Sequence, residues 1–289
     1  MNSRRGIELP GHDGIRLAGD IAGPEDGFPV LLLHGGGQTR NSWGRALNAL
    51  AERGARAVAI DMRGHGDSDW SPEAAYLPEH FGSDVENVTR AYSALCDDRP
   101  VLLVGASMGG IAALIATGPL DTLVAGLVLV DIVPDVRMDG ARRILDFMNA
   151  APDGFASLEE AADAVAAYLP HRPRPAATEG LKRNLRQQPN GRWNWHWDPR
   201  MVREVLNDVE LVKGGLDDAA SAVRVPTLLI RGLLSDIVDD EGVEHLRGLV
   251  SHLEVVDIAD AAHTAATDDN DAFVASVLAF ANRIAATTH

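Results

Sequence analysis

Gly105-Ala106-Ser107-Met108-Gly109 sets a serine between two glycines, two residues to either side. A serine nucleophile at a sharp strand-to-helix turn needs that spacing. The turn strains the serine backbone, and its neighbours must be small to avoid collision. The run Val101 to Val104 before it reads as a buried strand, and a helical pattern follows. The N-terminus of that helix would aim N–H groups at a developing oxyanion. Attack by Ser107 on a carbonyl carbon is therefore the chemistry this stretch suits.

An earlier apolar run ends in Leu33-His34-Gly35-Gly36-Gly37. Glycines there let backbone N–H groups approach a reacting carbonyl, the second half of an oxyanion hole. A dinucleotide loop would need glycine at the sixth position from Gly35, where Arg40 stands, and no Gly-Lys-Ser/Thr follows for a phosphate loop. His34 reads as a structural histidine that hydrogen-bonds the loop. Asp61-Met62-Arg63-Gly64-His65-Gly66-Asp67-Ser68 reads as a structural loop with Arg63 and Asp67 as internal hydrogen-bonding groups, not as a metal site.

A serine nucleophile needs a base and a carboxylate to orient it. His263 lies after the last apolar run, Leu253 to Ile258, and before a final helical pattern. Of the other histidines, His171 and His196 fall in a helical insertion, and His245 and His252 on or beside a helix. His12 lies in an edge hairpin and His289 at the chain end. His263 is the preferred base. Asp236, directly after the run Thr227 to Ile230, is the preferred acid, and Asp131, after Leu127 to Val130, is the alternative on the same sheet edge. Asp239, Asp240 and Glu241 read as first-turn helix residues.

These residues need a scaffold that brings several loops to one edge. Six unbroken apolar runs (Val30 to Leu33, Ala57 to Ile60, Val101 to Val104, Leu127 to Val130, Thr227 to Ile230, Leu253 to Ile258) fit strands buried on both faces. Helical patterns at about Ser42 to Arg53, Gly82 to Asp97, Met108 to Thr117, Asp239 to Leu249 and Asn270 to Ile284 alternate with them. The pattern predicts an α/β fold with a mostly parallel central sheet. Gly6 to Leu9 and Ile15 to Ala18, around His12-Asp13-Gly14, predict an antiparallel hairpin at its edge. From about 134 to 220 no buried strand is expected, so residues 1–133 and 221–289 form the core and 134–220 a helical cap inserted between two core strands.

Composition narrows the partners. The 42 acidic and 26 basic side chains of the 289 residues give a net charge of −16, which repels nucleic acid and anionic membrane surfaces. No apolar run reaches transmembrane or signal-peptide length, so a cytoplasmic protein is the expectation. The single cysteine, Cys96, leaves no intramolecular disulfide and no multi-cysteine zinc site.

The order Ser107, Asp236, His263, together with His34-Gly35-Gly36-Gly37, Arg63-Gly64-His65-Gly66-Asp67-Ser68 and Gly105-Ala106-Ser107-Met108-Gly109, closely resembles the α/β-hydrolase superfamily. The resemblance covers Gly6 to Val133 and Val223 onward; the cap matches in position and helical character only. It implies that the Met108 and Gly36 N–H groups form the oxyanion hole, with Gly37 able to share the role. It also disfavours the dehalogenases and epoxide hydrolases of this fold, which use an aspartate nucleophile where this chain has Ser107.

The cap carries Trp193-Asn194-Trp195-His196-Trp197. If extended, the three tryptophans share one face and either pack cap on core or line an apolar pocket. The expectation is a serine hydrolase cleaving a carboxylic ester or lactone of a small to medium apolar substrate through an acyl-enzyme, with no metal or organic cofactor. The alternatives are a carbon–carbon bond hydrolase or lyase using the same triad, or a non-catalytic binding protein.

Overall fold

The computed structural model describes residues 4–169, 174, 178–202, 209–259 and 271–287. Ten strands and eight helices are described. The chain opens with β1 (Arg5–Pro10), β2 (Arg16–Ala22) and β3 (Phe28–Leu33), then α1 (Gly44–Glu52), β4 (Ala55–Ile60) and α2 (Pro78–Ala94). Next come β5 (Val101–Ala106), α3 (Met108–Leu120) and β6 (Val124–Val130). The middle stretch holds α4 (Met138–Asn149), α5 (Leu158–Tyr168), β7 (Leu185–Gln187), β8 (Trp193–Trp195) and α6 (Val209–Ser221). β9 (Thr227–Gly232), α7 (Asp240–Leu249), β10 (Leu253–Ile258) and α8 (Asp271–Thr287) complete it.

Eight strands form one sheet in the order β1-β2-β4-β3-β5-β6-β9-β10. β1 pairs antiparallel with β2 and β2 with β4, and every other pair is parallel. Alternate side chains point to opposite faces, so each central strand feeds two cores. Leu31, Leu33, Leu103 and Leu129 pack under α2, α3 and α7. Val30, Leu32, Val104 and Val130 pack under α1 and α8. Fully buried apolar strands of this kind produce the unbroken runs visible in the sequence.

The strand order reverses between β3 and β5: β4 lies to one side of β3, and β6 lies on the far side of β5. Loops leaving the carboxyl ends of β3 and β5 diverge there and open a crevice, the usual ligand position in an open parallel sheet. Gly35 to Gly37 follow β3, and Ser107 follows β5.

The stretch between β6 and β9 differs from the core. Its helices α4 and α5 accompany a two-stranded antiparallel sheet, β7-β8, which the apolar pattern did not announce because each strand has three residues. Phe155, Leu158, Ala161 and Leu185 make a small cluster of their own there. Among the described residues, no helix is long and apolar enough to cross a membrane.

Candidate active site

Ser107 has φ +48° and ψ −120° and caps α3, so the strain expected of a nucleophile turn is present. Its N–H donates to the Val130 carbonyl at 3.1 Å, and its carbonyl accepts from the Ile111 N–H at 3.0 Å. The turn has no room for side chains. A Cβ at Gly105 would come 2.3 Å from the Gly109 carbonyl oxygen, and one at Gly109 would come 2.4 Å from the Leu33 carbonyl oxygen. The two glycines therefore let α3 press against both β5 and the end of β3.

Ser107 faces an apolar cavity of about 180 Å³, walled by Tyr76, Phe81, Ile111, Ile132, Val136, Ile144, Leu145, Met148 and Ile237. Gly36 and Met108 border the same cavity. Met108 is the first residue of α3, where backbone N–H groups have no intrahelical acceptor. A narrower space lined by Gly35 to Gln38, Ser107, Phe147 and Tyr168 shares walls with this cavity and with a second one of about 850 Å³. Phe147, Tyr168, Trp195, Trp197, Asn184 and Arg183 are among the walls of the larger space.

Gly37 differs from Gly36. Its N–H donates to His65 Nε2 at 3.1 Å. That bond commits the Gly37 donor, so Gly37 does not share the oxyanion role that its neighbour can take. Gly37 instead lies against the Trp197 ring, at φ +72°.

His34 is structural, as its sequence position suggested. Its Nε2 accepts from the Met62 N–H at 2.9 Å and its Nδ1 faces the Gly35 carbonyl at 2.8 Å, so the proton sits on Nδ1. Complete burial lowers its pKa to about 4, against the opposing pull of that carbonyl. His65 is also fully buried; desolvation first, and then the neighbouring His34 ring, lowers it to about 3. Asp61 accepts the Arg40 N–H at 2.7 Å and the Asp67 N–H at 2.9 Å, and it pairs with the Arg40 guanidinium. The side chains of Asp61 and His65 are thus both engaged in hydrogen bonds to neighbouring backbone.

The two candidate acids occupy different settings. Asp131 is buried at φ +49° at the end of β6, where its Oδ1 accepts the Gly232 N–H at 3.0 Å and its Oδ2 accepts the Ser235 hydroxyl at 2.5 Å. Asp236 is about one-third exposed, and Arg143 of α4 pairs with its carboxylate at 2.9 Å. The same loop holds α4 by backbone contact. The Arg137 N–H donates to the Ile237 carbonyl at 2.9 Å, and a Cβ at Gly140 would meet the Asp236 carbonyl oxygen at 2.2 Å. His263 lies outside the described residues. β10 runs parallel to β9, so the chain leaves it at the edge that carries Ser107.

The tryptophans divide. Trp195 and Trp197 stack at 4.7 Å and 11°, and both line the larger cavity. Trp193 bridges to Phe155 and sits beneath Lys182, whose Nζ is 5.9 Å from the ring centroid.

The sequence reading gives His196 only a place in the insertion and leaves Asp198 and Arg200 unmentioned. His196 Nδ1 accepts the Gly66 N–H at 2.6 Å, and Asp198 accepts the Tyr76 hydroxyl at 2.6 Å and pairs with Arg200. Only their place inside the tryptophan cluster could have drawn attention to them.

Fold and site together define a class: a parallel sheet whose switch-point crevice holds a strained serine at a helix N-terminus beside a glycine loop. The alpha/beta hydrolase fold family matches residues 29–269, and the chain belongs to it. It is a hydrolase. The chain is 29% identical over 252 residues to an esterase of Mycobacterium tuberculosis, covering 85% of this chain and 80% of that one. It is 38% identical over 139 residues to protein phosphatase methylesterase 1 of Mus musculus, spanning 47% of this chain and 36% of the relative. In fold it is similar to E-2-(acetamidomethylene)succinate hydrolase, with a TM-score of 0.84 at 20% identity over 97% of this chain and 100% of the other.

Proposed function

We propose that this hydrolase cleaves a carboxylic ester or lactone whose acyl part is small to medium and apolar, through an acyl-enzyme on Ser107. The observation that carries the reading is the strained Ser107 at the N-terminus of α3, opening onto an apolar cavity of about 180 Å³ between Gly36 and Met108. A cavity of that size and lining suits a compact hydrocarbon group. The larger space beyond Tyr168 and Phe147 would take the leaving group.

In this reading, Ser107 Oγ attacks the carbonyl carbon while His263 takes its proton. The Gly36 and Met108 N–H groups stabilise the tetrahedral oxyanion. The alkoxide leaves with the proton from His263, and water attacks the acyl-enzyme by the same route in reverse. A carboxylate holds the imidazole. Asp236 follows the strand expected to supply the acid, but Arg143 holds it, whereas Asp131 is buried with both oxygens fixed. The geometry favours Asp131.

Residues 134–220 act as the cap. Helix α4 supplies Ile144, Leu145 and Met148 to the apolar cavity, so it limits acyl length and excludes water. The test is turnover of p-nitrophenyl esters of graded chain length, with lactones alongside, for wild type and Ser107→Ala. Preference for short acyl groups, lost in the variant, supports the reading. Equal turnover by the variant, or preference for long-chain lipid esters, contradicts it.

A further inference from the structure

Gly36 lies between two peptide planes, and each plane is held by a different buried histidine. The first plane joins Gly35 to Gly36. His34 Nδ1–H donates to its carbonyl at 2.8 Å, so the Gly36 N–H, at the opposite edge of a trans peptide, is directed away from His34. The second plane joins Gly36 to Gly37, and its N–H donates to His65 Nε2 at 3.1 Å. The two bonds together restrain the backbone rotations at Gly36.

His65 is itself held. Its Nδ1 donates to the Arg63 carbonyl at 2.9 Å, and its ring lies 5.9 Å from the His196 ring. His196 belongs to the stretch between β6 and β9. Its Nδ1 accepts the Gly66 N–H, one residue beyond His65. A continuous set of contacts therefore runs from the tryptophan segment, through two imidazoles, to the loop that borders the nucleophile.

We propose that His65 and His196 are positioning residues for the oxyanion hole, through which the segment at 193–198 holds the Gly36–Gly37 peptide plane and so, together with His34 on the plane of the Gly36 N–H, the backbone at Gly36. The proposal rests on the esterase reading above. Each imidazole acts by accepting a backbone N–H, so each must be neutral. Burial keeps them so, with the ordinary imidazole pKa lowered to about 3 in His65 and well lowered in His196. Neither ring touches the reacting atoms; a misdirected donor would weaken the transition state without weakening substrate binding.

The two histidines accept through different nitrogens, and this supplies the test. Nδ1 is bonded to Cγ, as is Oδ1 of asparagine, whereas Nε2 lies at the reach of Oε1 of glutamine. Asparagine thus reproduces the acceptor of His196, and glutamine that of His65. The variants His65→Gln, His65→Asn, His196→Asn and His196→Gln are compared for kcat and KM on p-nitrophenyl acetate, for Tm, and for hydrogen exchange of the Gly37 amide by NMR.

The expected result is a kcat loss of roughly 10- to 100-fold for His65→Asn with KM within about twofold, most of it recovered in His65→Gln. At position 196 the order reverses, with His196→Asn the better enzyme and the losses smaller. Gly37 exchange rises in the two poorer variants only. Equal kcat for glutamine and asparagine at both positions, or losses in Tm with kcat unchanged, would overturn the proposal. A wild type that turns over no ester would refute the esterase reading instead. Gly37 exchange would still report on the histidines: no difference between the paired variants would overturn the proposal on its own.

Discussion

The turn at Ser107 and the stretch from Trp193 to Asp198 both border the Gly35–Gln38 loop, yet opposite means hold them in place. At the turn, backbone meets backbone: β5, α3 and the end of β3 approach until a single methyl group at Gly105 or Gly109 would overlap a carbonyl. In the tryptophan stretch, side chains do the holding. Trp195 stacks on Trp197, His196 takes the Gly66 N–H, and Asp198 takes the Tyr76 hydroxyl. A backbone-limited site accepts few residue types and leaves a motif. A side-chain-held site has many chemical solutions and leaves none.

That contrast predicts a ranking of losses. Ser107→Ala should reduce esterase turnover by roughly 10⁴-fold or more with Tm preserved, because the residues of a nucleophilic triad act as a unit. Steady-state kinetics with a thermal melt checks both halves. Asp131→Asn comes next, with a loss of roughly 10³- to 10⁴-fold. Asp236→Asn breaks the ion pair to Arg143 and should cost far less. The reverse order would return the acid to Asp236.

The next tests act on stability. Gly109→Ala forces a Cβ against the Leu33 carbonyl and should destabilise by about 1–3 kcal/mol or more, because neither strand nor helix can yield. Trp197→Ala, at a residue 3% exposed, should cost about 3–5 kcal/mol and leave a cavity beside Gly37. Trp193→Ala should cost less, since that ring is only half-buried. Chemical denaturation of the three variants measures the order. If Gly109→Ala were harmless, the account of the turn would fail.

Stability should also depend on pH. His34 and His65 have folded pKa values of about 4 and about 3, below the ordinary 6.5, because burial disfavours their charged forms. As pH falls below 6.5, the unfolded chain takes up protons on these rings and the folded chain does not. Stability is therefore full above about 6.5 and declines toward pH 4, by on the order of a few kcal/mol. Asp61, whose carboxyl pKa is raised by burial, acts in the opposite sense at the acid end of that window. His65→Gln should flatten the profile in urea titrations at stepped pH.

The sequence made the sheet legible because strands buried on both faces must be apolar throughout; all six runs became strands, but the expectation of burial on both faces failed for β10, an edge strand whose Glu254 and Asp257 are exposed. Helix α2 shows where that signal stops. Its periodic apolar residues suggested a start at Gly82, but the helix begins at Pro78, where proline at an initial position needs no N–H partner. The glycines around Ser107 and the loop after His34 were legible for the steric reasons given above. The bond from the Gly37 N–H to His65, which commits a donor that the glycine loop offered as an oxyanion partner, was not. It depends on two loops, 28 residues apart, meeting over the sheet edge. The split among the tryptophans was hidden for the same reason: Trp195 and Trp197 stack and line the larger cavity, whereas Trp193 bridges to Phe155 beneath Lys182.

The central claim is that Ser107 is the nucleophile, and covalent trapping tests it most directly. Wild-type protein and Ser107→Ala are treated with a fluorophosphonate, and intact mass is followed by peptide mapping. The account predicts one stoichiometric adduct on Ser107 in the wild type and none in the variant. An unlabelled wild type under conditions where it hydrolyses esters, or equal labelling of the variant, would contradict it.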